Sequence, residues 1–167
     1  MSTLTSSTSK PAPSIAATLL VNPANEETKL TIEQLWKGLE RKVREPHLFV
    51  AAFKSCDIIS DDGHKVVRHA HPVPGFPGPP GPMKETVYIY PNSMIYFKGE
   101  HIRVANIVSY NEAGELLLTY SFSNGIPGPF PREGTLEGET LQGAIVASAG
   151  GVDGTLKQIR KLLKADC

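Results

Sequence analysis

Cysteine is nearly absent from this chain. Cys56 lies in a strand pattern and Cys167 stands at the end. Two thiols so placed make no disulfide framework and fit a reducing, cytoplasmic setting. Net charge is missing as well, because seventeen basic and seventeen acidic side chains cancel. No long-range field therefore draws nucleic acid or an anionic membrane surface. No apolar run approaches the ~20 residues of a transmembrane helix, so stable membrane insertion is not expected. The motifs that announce common chemistries are absent too: no phosphate-binding GxxxxGK[ST], no GxGxxG after a strand, no CxxC pair, no HExxH and no GxSxG. His69 and His71 share one strand face at a spacing able to hold a metal, but the nearest third histidine, His64, has the opposite parity. The pair reads as the polar surface of a half-exposed strand, and neither a metal nor a cofactor is expected.

What is present fits one α+β domain. A length of 167 residues suffices to bury roughly 70% of the unfolded surface without staples. Residues 1–14, rich in Ser and Thr, read as a disordered tail ahead of a single domain over 15–167. A short apolar run at 15–21 is the first strand. Thr31 with Gln34 makes a capping box, followed by Ile32, Leu35, Trp36, Leu39 and Val43 at helical spacing. Trp36 on that stripe is first a core residue and second part of a binding wall. Arg41, Lys42 and Arg44 suit the negative end of the helix dipole. Pro46 ends this helix or opens a second over 47–53. Strand patterns follow at 55–60, 65–71, 84–90, 93–97, 101–110 and 115–123, with short turns between most of them. Such connections make an antiparallel meander.

A last helix over 140–164 carries the apolar stripe Leu141, Ile145, Ser148 or Ala149, Val152, Leu156, Ile159 and Leu163. One long helix after one sheet predicts a curved antiparallel sheet wrapped around that helix. Gly150, Gly151 and Gly154 interrupt it, each costing about 1 kcal/mol against Ala. Either they leave room above a pocket, with Gly151 facing it, or they end one helix and Asp153 caps another. Two Pro-Gly loops, at 71–82 and 124–138, interrupt the even spacing. The first reads as a stiff rim loop rather than a polyproline ligand.

Strand parity selects the polar residues that would face inward. In 115–123 the inward set is Leu116, Leu118, Tyr120 and Phe122. In 101–110 it includes Val104 and Asn106, an amide that would be costly if left unpaired. If Val87 and Ile89 face in, so does Glu85, and the set Val66, Arg68 and Ala70 brings Arg68 beside it. A slip of one residue would turn the Arg68–Glu85 pair outward. Tyr120 is a hydrogen-bonded core tyrosine or a proton donor to a ligand. The remaining wall would be Phe97 with Trp36, Val87, Ile89, Val104, Leu118, Phe122 and Gly151.

The series Leu35-Trp36-x-Gly38-Leu39-x-Arg41-Lys42-Val43-Arg44, Phe49-Val50, Ser55-Cys56, Arg68, Lys84-Glu85, Asn106-Ile107-Val108-Ser109 and Leu118-Thr119-Tyr120 resembles the AtaL-like family. These are small proteins of fungi and bacteria in the START-like (SRPBCC, helix-grip) superfamily. The resemblance covers about residues 30–122, and the long Pro-Gly loop and the helix glycines depart from it. It implies an apolar cavity between sheet and helix. Members of the superfamily bind lipids, steroids and polyketides, and some catalyse cyclisation or dehydration. The name-giving branch is associated with fungal secondary-metabolite pathways. No catalytic residues carry over.

The expectation is a protein that encloses an apolar biosynthetic intermediate and steers its cyclisation, dehydration or isomerisation without a cofactor. Arg68 would anchor an oxygen, Glu85 would act as base or as the partner of Arg68, and Asn106 and Tyr120 would donate hydrogen bonds. The rival expectations are a carrier of a hydrophobic ligand or lipid with the same cavity, and a scaffold engaging a partner through its proline loops. Oligomeric state is left open.

Overall fold

The computed structural model describes residues 14–76, 80–125 and 138–166. The expected tail up to residue 13, the middle of the first Pro-Gly loop, the second loop over 126–137 and Cys167 lie outside the described residues. The order is β1 (Ile15–Leu20), α1 (Ile32–Arg44), a single 3-10 turn (Pro46–Leu48), β2 (Phe53–Asp61), β3 (Lys65–Pro72), β4 (Met83–Tyr90), β5 (Met94–Lys98), β6 (Arg103–Tyr110), β7 (Leu116–Ser123) and α2 (Gly138–Ala165). All neighbours in the sheet are antiparallel, in the order β1-β7-β6-β5-β4-β3-β2. The curved sheet grips α2, as the periodicity implies. The second helix allowed for after Pro46 is only that 3-10 turn.

α1 starts where its capping box sets it. Thr31 Oγ1 accepts from the Gln34 amide at 3.1 Å, and Gln34 Oε1 accepts from the Thr31 amide at 2.9 Å. The buried face of the helix comprises Leu35, Trp36, Leu39, Lys42 and Val43. These pack with Val66, Val87, Ile89, Ile95, Phe97, Val108, Leu118, Val152, Leu156 and Ile159 into the main core.

The two helices meet at Gly38. A Cβ added there would lie 2.5 Å from Ile159, whose side chain is itself buried. At the far end of α2, Arg160 donates to the Thr28 carbonyl at 2.7 Å and to the Val21 carbonyl. It thereby pins the helix to the connection between β1 and α1.

The buried stripe of α2 is Ala144, Ser148, Val152, Thr155, Leu156, Ile159 and Arg160. In its first half this departs from expectation, since Ile145 is exposed and Ala144 is buried against Ile15, with Phe122 and Leu141 packed alongside. The small residue permits the close approach to β1.

The helix is also continuous, so the glycines do not divide it and Asp153 caps nothing. Asp153 instead pairs with Lys157 at 2.7 Å. Gly150 and Gly154 face outward with no atom within 4 Å of an added Cβ. Gly150→Ala and Gly154→Ala should therefore each stabilise the protein by about 1 kcal/mol. Gly38→Ala should cost roughly 1–3 kcal/mol by overpacking against Ile159. Urea denaturation of the three variants checks both signs.

Candidate active site

A polar chain crosses the apolar core at its centre. Lys42 comes from the inner face of α1, three residues after Leu39 and seven after Leu35. Its Nζ donates to Asn106 Oδ1 on β6 at 3.0 Å and to Tyr120 Oη on β7 at 2.7 Å. The Tyr120 hydroxyl passes its own proton to Thr155 Oγ1 on α2 at 2.6 Å. Cross-strand register makes this possible, because Asn106 stands opposite Tyr120 in the β6–β7 ladder. The Lys42 amine also lies 4.2 Å from the centre of the Tyr120 ring and 5.7 Å from that of Phe97.

Next to this chain is an ion pair. Arg68 Nη2 meets Glu85 Oε2 at 3.0 Å, with the Arg68 side chain buried and that of Glu85 nearly so. Arg68 and Glu85 are direct partners in the β3–β4 ladder, so period-2 alternation that turns one inward turns the other inward too. The second guanidinium nitrogen donates to the carbonyls of Lys42 and Val43 at 3.2 and 2.6 Å. Those carbonyls belong to the last turn of α1, where no helical partner remains for them. Arg68 is thus a clamp on the helix end, and its guanidinium carbon stands 5.0 Å from the Phe97 ring centre.

Three buried polar atoms have no hydrogen-bond partner among the described residues: Arg68 Nε, Asn106 Nδ2 and Ser148 Oγ. The orientation of Asn106 follows from chemistry, since Lys42 can only donate and so must face the amide oxygen. Its NH2 group is left free in the interior. Each such group costs on the order of 1–3 kcal/mol.

Burial governs the titration of this cluster. It pulls the Lys42 amine down to about 7, helped by the nearby Arg68 cation and opposed by Glu85. The same desolvation pushes the Tyr120 phenol well above its ordinary value, the Thr155 bond opposing. Cys56, half-buried on β2, is pushed up chiefly by burial.

The four residues expected to face inward with polar groups, Arg68, Glu85, Asn106 and Tyr120, lie in this one region. Lys42 was missed. Read as a complement to the helix dipole, it in fact continues the stripe of Leu35 and Leu39, and that spacing was the available signal.

Of the expected wall, Val87 and Leu118 have no exposed surface and Trp36, Ile89 and Phe97 almost none. They are packed core residues rather than the lining of an open space. Neighbouring core side chains cover Val87 and Leu118 fully. Val104 and Phe122 are half-buried against the core. Gly151 lies three residues after Ser148 and four before Thr155, hence on their face of α2. It is exposed, with nothing within 4 Å of an added Cβ.

His69 and His71 point away from this region. His71 Nε2 bonds Asp57 Oδ2 at 2.7 Å, and no group of three potential metal ligands occurs among the described residues. Two surface clefts lined by described residues lie elsewhere. One of about 450 Å³ is lined by Leu30, Thr31 and Tyr110, and one of about 410 Å³ lies beside His71 and the first Pro-Gly loop. No helix among the described residues is long and apolar enough to cross a membrane.

A seven-stranded antiparallel sheet gripping a C-terminal helix, with polar groups gathered on the concave face, defines a START-like helix-grip protein. Residues 15–166 match the family described as AtaL, acetylaranotin biosynthesis cluster protein L, and the chain belongs to that family. No curated protein matches the sequence.

Among solved structures it is similar to the Zhui aromatase/cyclase of Streptomyces sp. R1128, at 13% identity and a TM-score of 0.51, over 88% of this chain and 90% of that one. It is similar to the di-domain aromatase/cyclase StfQ of the steffimycin biosynthetic pathway at 10% identity and a TM-score of 0.60. That match covers 94% of this chain but 53% of StfQ, about half its length. Norcoclaurine synthase from Thalictrum flavum is a third, at 17% identity and a TM-score of 0.51, over 91% of this chain and 86% of that one. At such identities the likeness is one of fold.

The depressed lysine has a measurable consequence. The folded pKa of Lys42 lies below its unfolded value of 10.5. Between about pH 7 and pH 10.5 the unfolded chain therefore binds more protons, and stability rises with pH there. Below that window both states are protonated and the cost of burying the ammonium is felt in full. Urea unfolding should show wild-type stability climbing relative to Lys42→Met, at up to about 1.4 kcal/mol per pH unit. Parallel pH profiles for the two proteins would mean that the amine stays charged in the fold.

Proposed function

We propose that this protein encloses an apolar biosynthetic intermediate between sheet and helix and steers its cyclisation, dehydration or isomerisation, with no cofactor. One observation carries the reading. The chain from Lys42 through Tyr120 to Thr155 ends on α2 one turn after Gly151, an exposed position beside that face with no atom within 4 Å of an added Cβ. Polar groups buried under such a space fix the orientation of a ligand whose bulk is apolar. The aromatase/cyclase and synthase likenesses agree with that use of the fold.

Val104 and Phe122 would line the entrance to this space, with the Phe97 and Tyr120 rings packed beneath them. The Asn106 amide and Arg68 Nε are the donors left for a ligand oxygen. Tyr120 holds a proton at its hydroxyl and hands it towards Thr155. Glu85 balances Arg68 and can accept a proton from a carbon acid. Exclusion of water and a fixed chain conformation would supply most of the rate. A soluble cytoplasmic setting suits such a protein.

Gly151→Leu adds bulk at a position where a new Cβ meets no atom within 4 Å. Uptake of an apolar fluorescent probe should fall at least about tenfold, a loss of roughly 1.4 kcal/mol, while thermal stability holds or rises. Unchanged uptake would remove the chamber. Native mass spectrometry of the protein from its own host should show a co-purified small molecule. If that molecule survives prolonged incubation unaltered in wild type and in Tyr120→Phe alike, the protein is a carrier.

A further inference from the structure

We infer that Lys42 is a covalent catalyst, an interior amine that condenses with a ketone or aldehyde carbonyl of the ligand. The inference rests on the chamber proposed above and names the functional group that its ligand must bear.

The argument starts from donor counts. An ammonium has three N–H donors and a neutral amine has two with one lone pair. Lys42 makes two hydrogen bonds to side-chain oxygens, to Asn106 and to Tyr120. Tyr120 can only accept from Lys42, because its single proton goes to Thr155. Both bonds therefore run outward from the nitrogen, so a neutral amine satisfies them with its two N–H groups and keeps its lone pair unused, whereas an ammonium would leave a third N–H without a side-chain oxygen. The Tyr120 and Phe97 rings border the same nitrogen.

The charges around it agree. Arg68 on β3 and Glu85 on β4 neutralise each other at 3.0 Å. Asn106 on β6 and Thr155 on α2 are uncharged, and the Tyr120 phenol on β7 keeps its proton. No carboxylate bonds the amine to hold it as a cation. Burial accordingly leaves about half of Lys42 unprotonated near neutral pH. An exposed lysine is free amine at well under one part in a thousand there. A structural lysine would be better served by a carboxylate partner, and an apolar core would be better served by methionine.

The step balances without an oxidant or reductant. The lone pair adds to the carbonyl carbon, and the carbonyl oxygen leaves as water with the two nitrogen protons. A C=N bond replaces C=O. Transfer of the adjacent C–H proton to the imine nitrogen, relayed by the Glu85 carboxylate, gives an enamine, whose carbon can attack a second carbonyl of the same chain. Water then hydrolyses the imine and frees Lys42. The net change is a cyclising aldol addition, an isomerisation of the substrate. The adjacent Asn106 NH2 can bond the oxygen that becomes the alkoxide.

The test uses acetylacetone, a 1,3-diketone that traps free amines as a stable enaminone with loss of water. The intact protein is incubated near neutral pH and its peptides are mapped by mass. Lys42 should be modified at least about tenfold faster than any exposed lysine. Asn106→Asp places a carboxylate on the amine, so labelling should fall about tenfold at neutral pH and recover at higher pH. Lys42→Met should lose the adduct altogether. Labelling confined to exposed lysines, or labelling of Lys42 indifferent to Asn106→Asp, overturns the inference. If an apolar fluorescent probe still binds in that case, the chamber stands and only the covalent role falls. If the probe fails as well, both fall.

Discussion

The arrangement of this protein depends on one buried nitrogen. Lys42 Nζ needs acceptors because it lies in an apolar core, and the two it has come from different strands. Those strands are neighbours in register, so the demand is met only when Asn106 and Tyr120 face inward together. Tyr120 in turn reaches Thr155, which fixes the rotation of α2 about its axis. Four elements are thus oriented by a chain of three hydrogen bonds. Apolar packing alone tolerates sliding and repacking, whereas a buried polar chain of this kind is satisfied in one arrangement and costly in others.

The long helix shows what that orientation is for. Its C-terminal half is tied down by Val152, Leu156 and Ile159 in the core, by the close contact at Gly38 and by the Arg160 bonds to the β1–α1 connection. Its N-terminal half presents small residues, Ala144 and Ser148, on the face turned inward, with the exposed Gly151 at the edge of that face. One half is held in the main core and the other lies close against the β1 edge of the sheet. Thr155 lies near where the two meet, between Val152 and Leu156, so the polar chain ends close to the junction of the two packing regions of α2.

Much of this was legible in the sequence because strand alternation is a strong signal. A register slip would have turned whole apolar sets to solvent, so Asn106 and Tyr120 could be placed on the inner face by their neighbours, while the Arg68–Glu85 pair stayed open to a slip of one residue. The capping box at Thr31 was equally local. Lys42 was not found, because charge at a helix C-terminus has a ready explanation in the dipole, and only its spacing from Leu35 and Leu39 argues for burial. Ile145 was misplaced for the opposite reason. Hydrophobicity favours it for the core, but the near approach to Ile15 on β1 admits only the methyl of Ala144. The role of Arg68 also needed coordinates, since nothing local shows that a strand residue will cap a helix ended twenty-odd positions earlier.

The cluster holds two basic groups and one acid, and only one ion pair results. Arg68 takes Glu85, partly because the planar guanidinium can hold a carboxylate and two helix carbonyls at once, which an ammonium cannot do so well. Lys42 is left with neutral acceptors in the same desolvated space. If stability alone had shaped the site, the lysine would be an apolar residue, and Asn106 and Tyr120 would lose their reason to be polar. Three orphaned atoms, Arg68 Nε, Asn106 Nδ2 and Ser148 Oγ, point the same way. They weaken the folded state on its own and would be relieved by a bound oxygen-bearing ligand. A core that carries such unmet polar demands departs from the satisfied interior that folding alone favours.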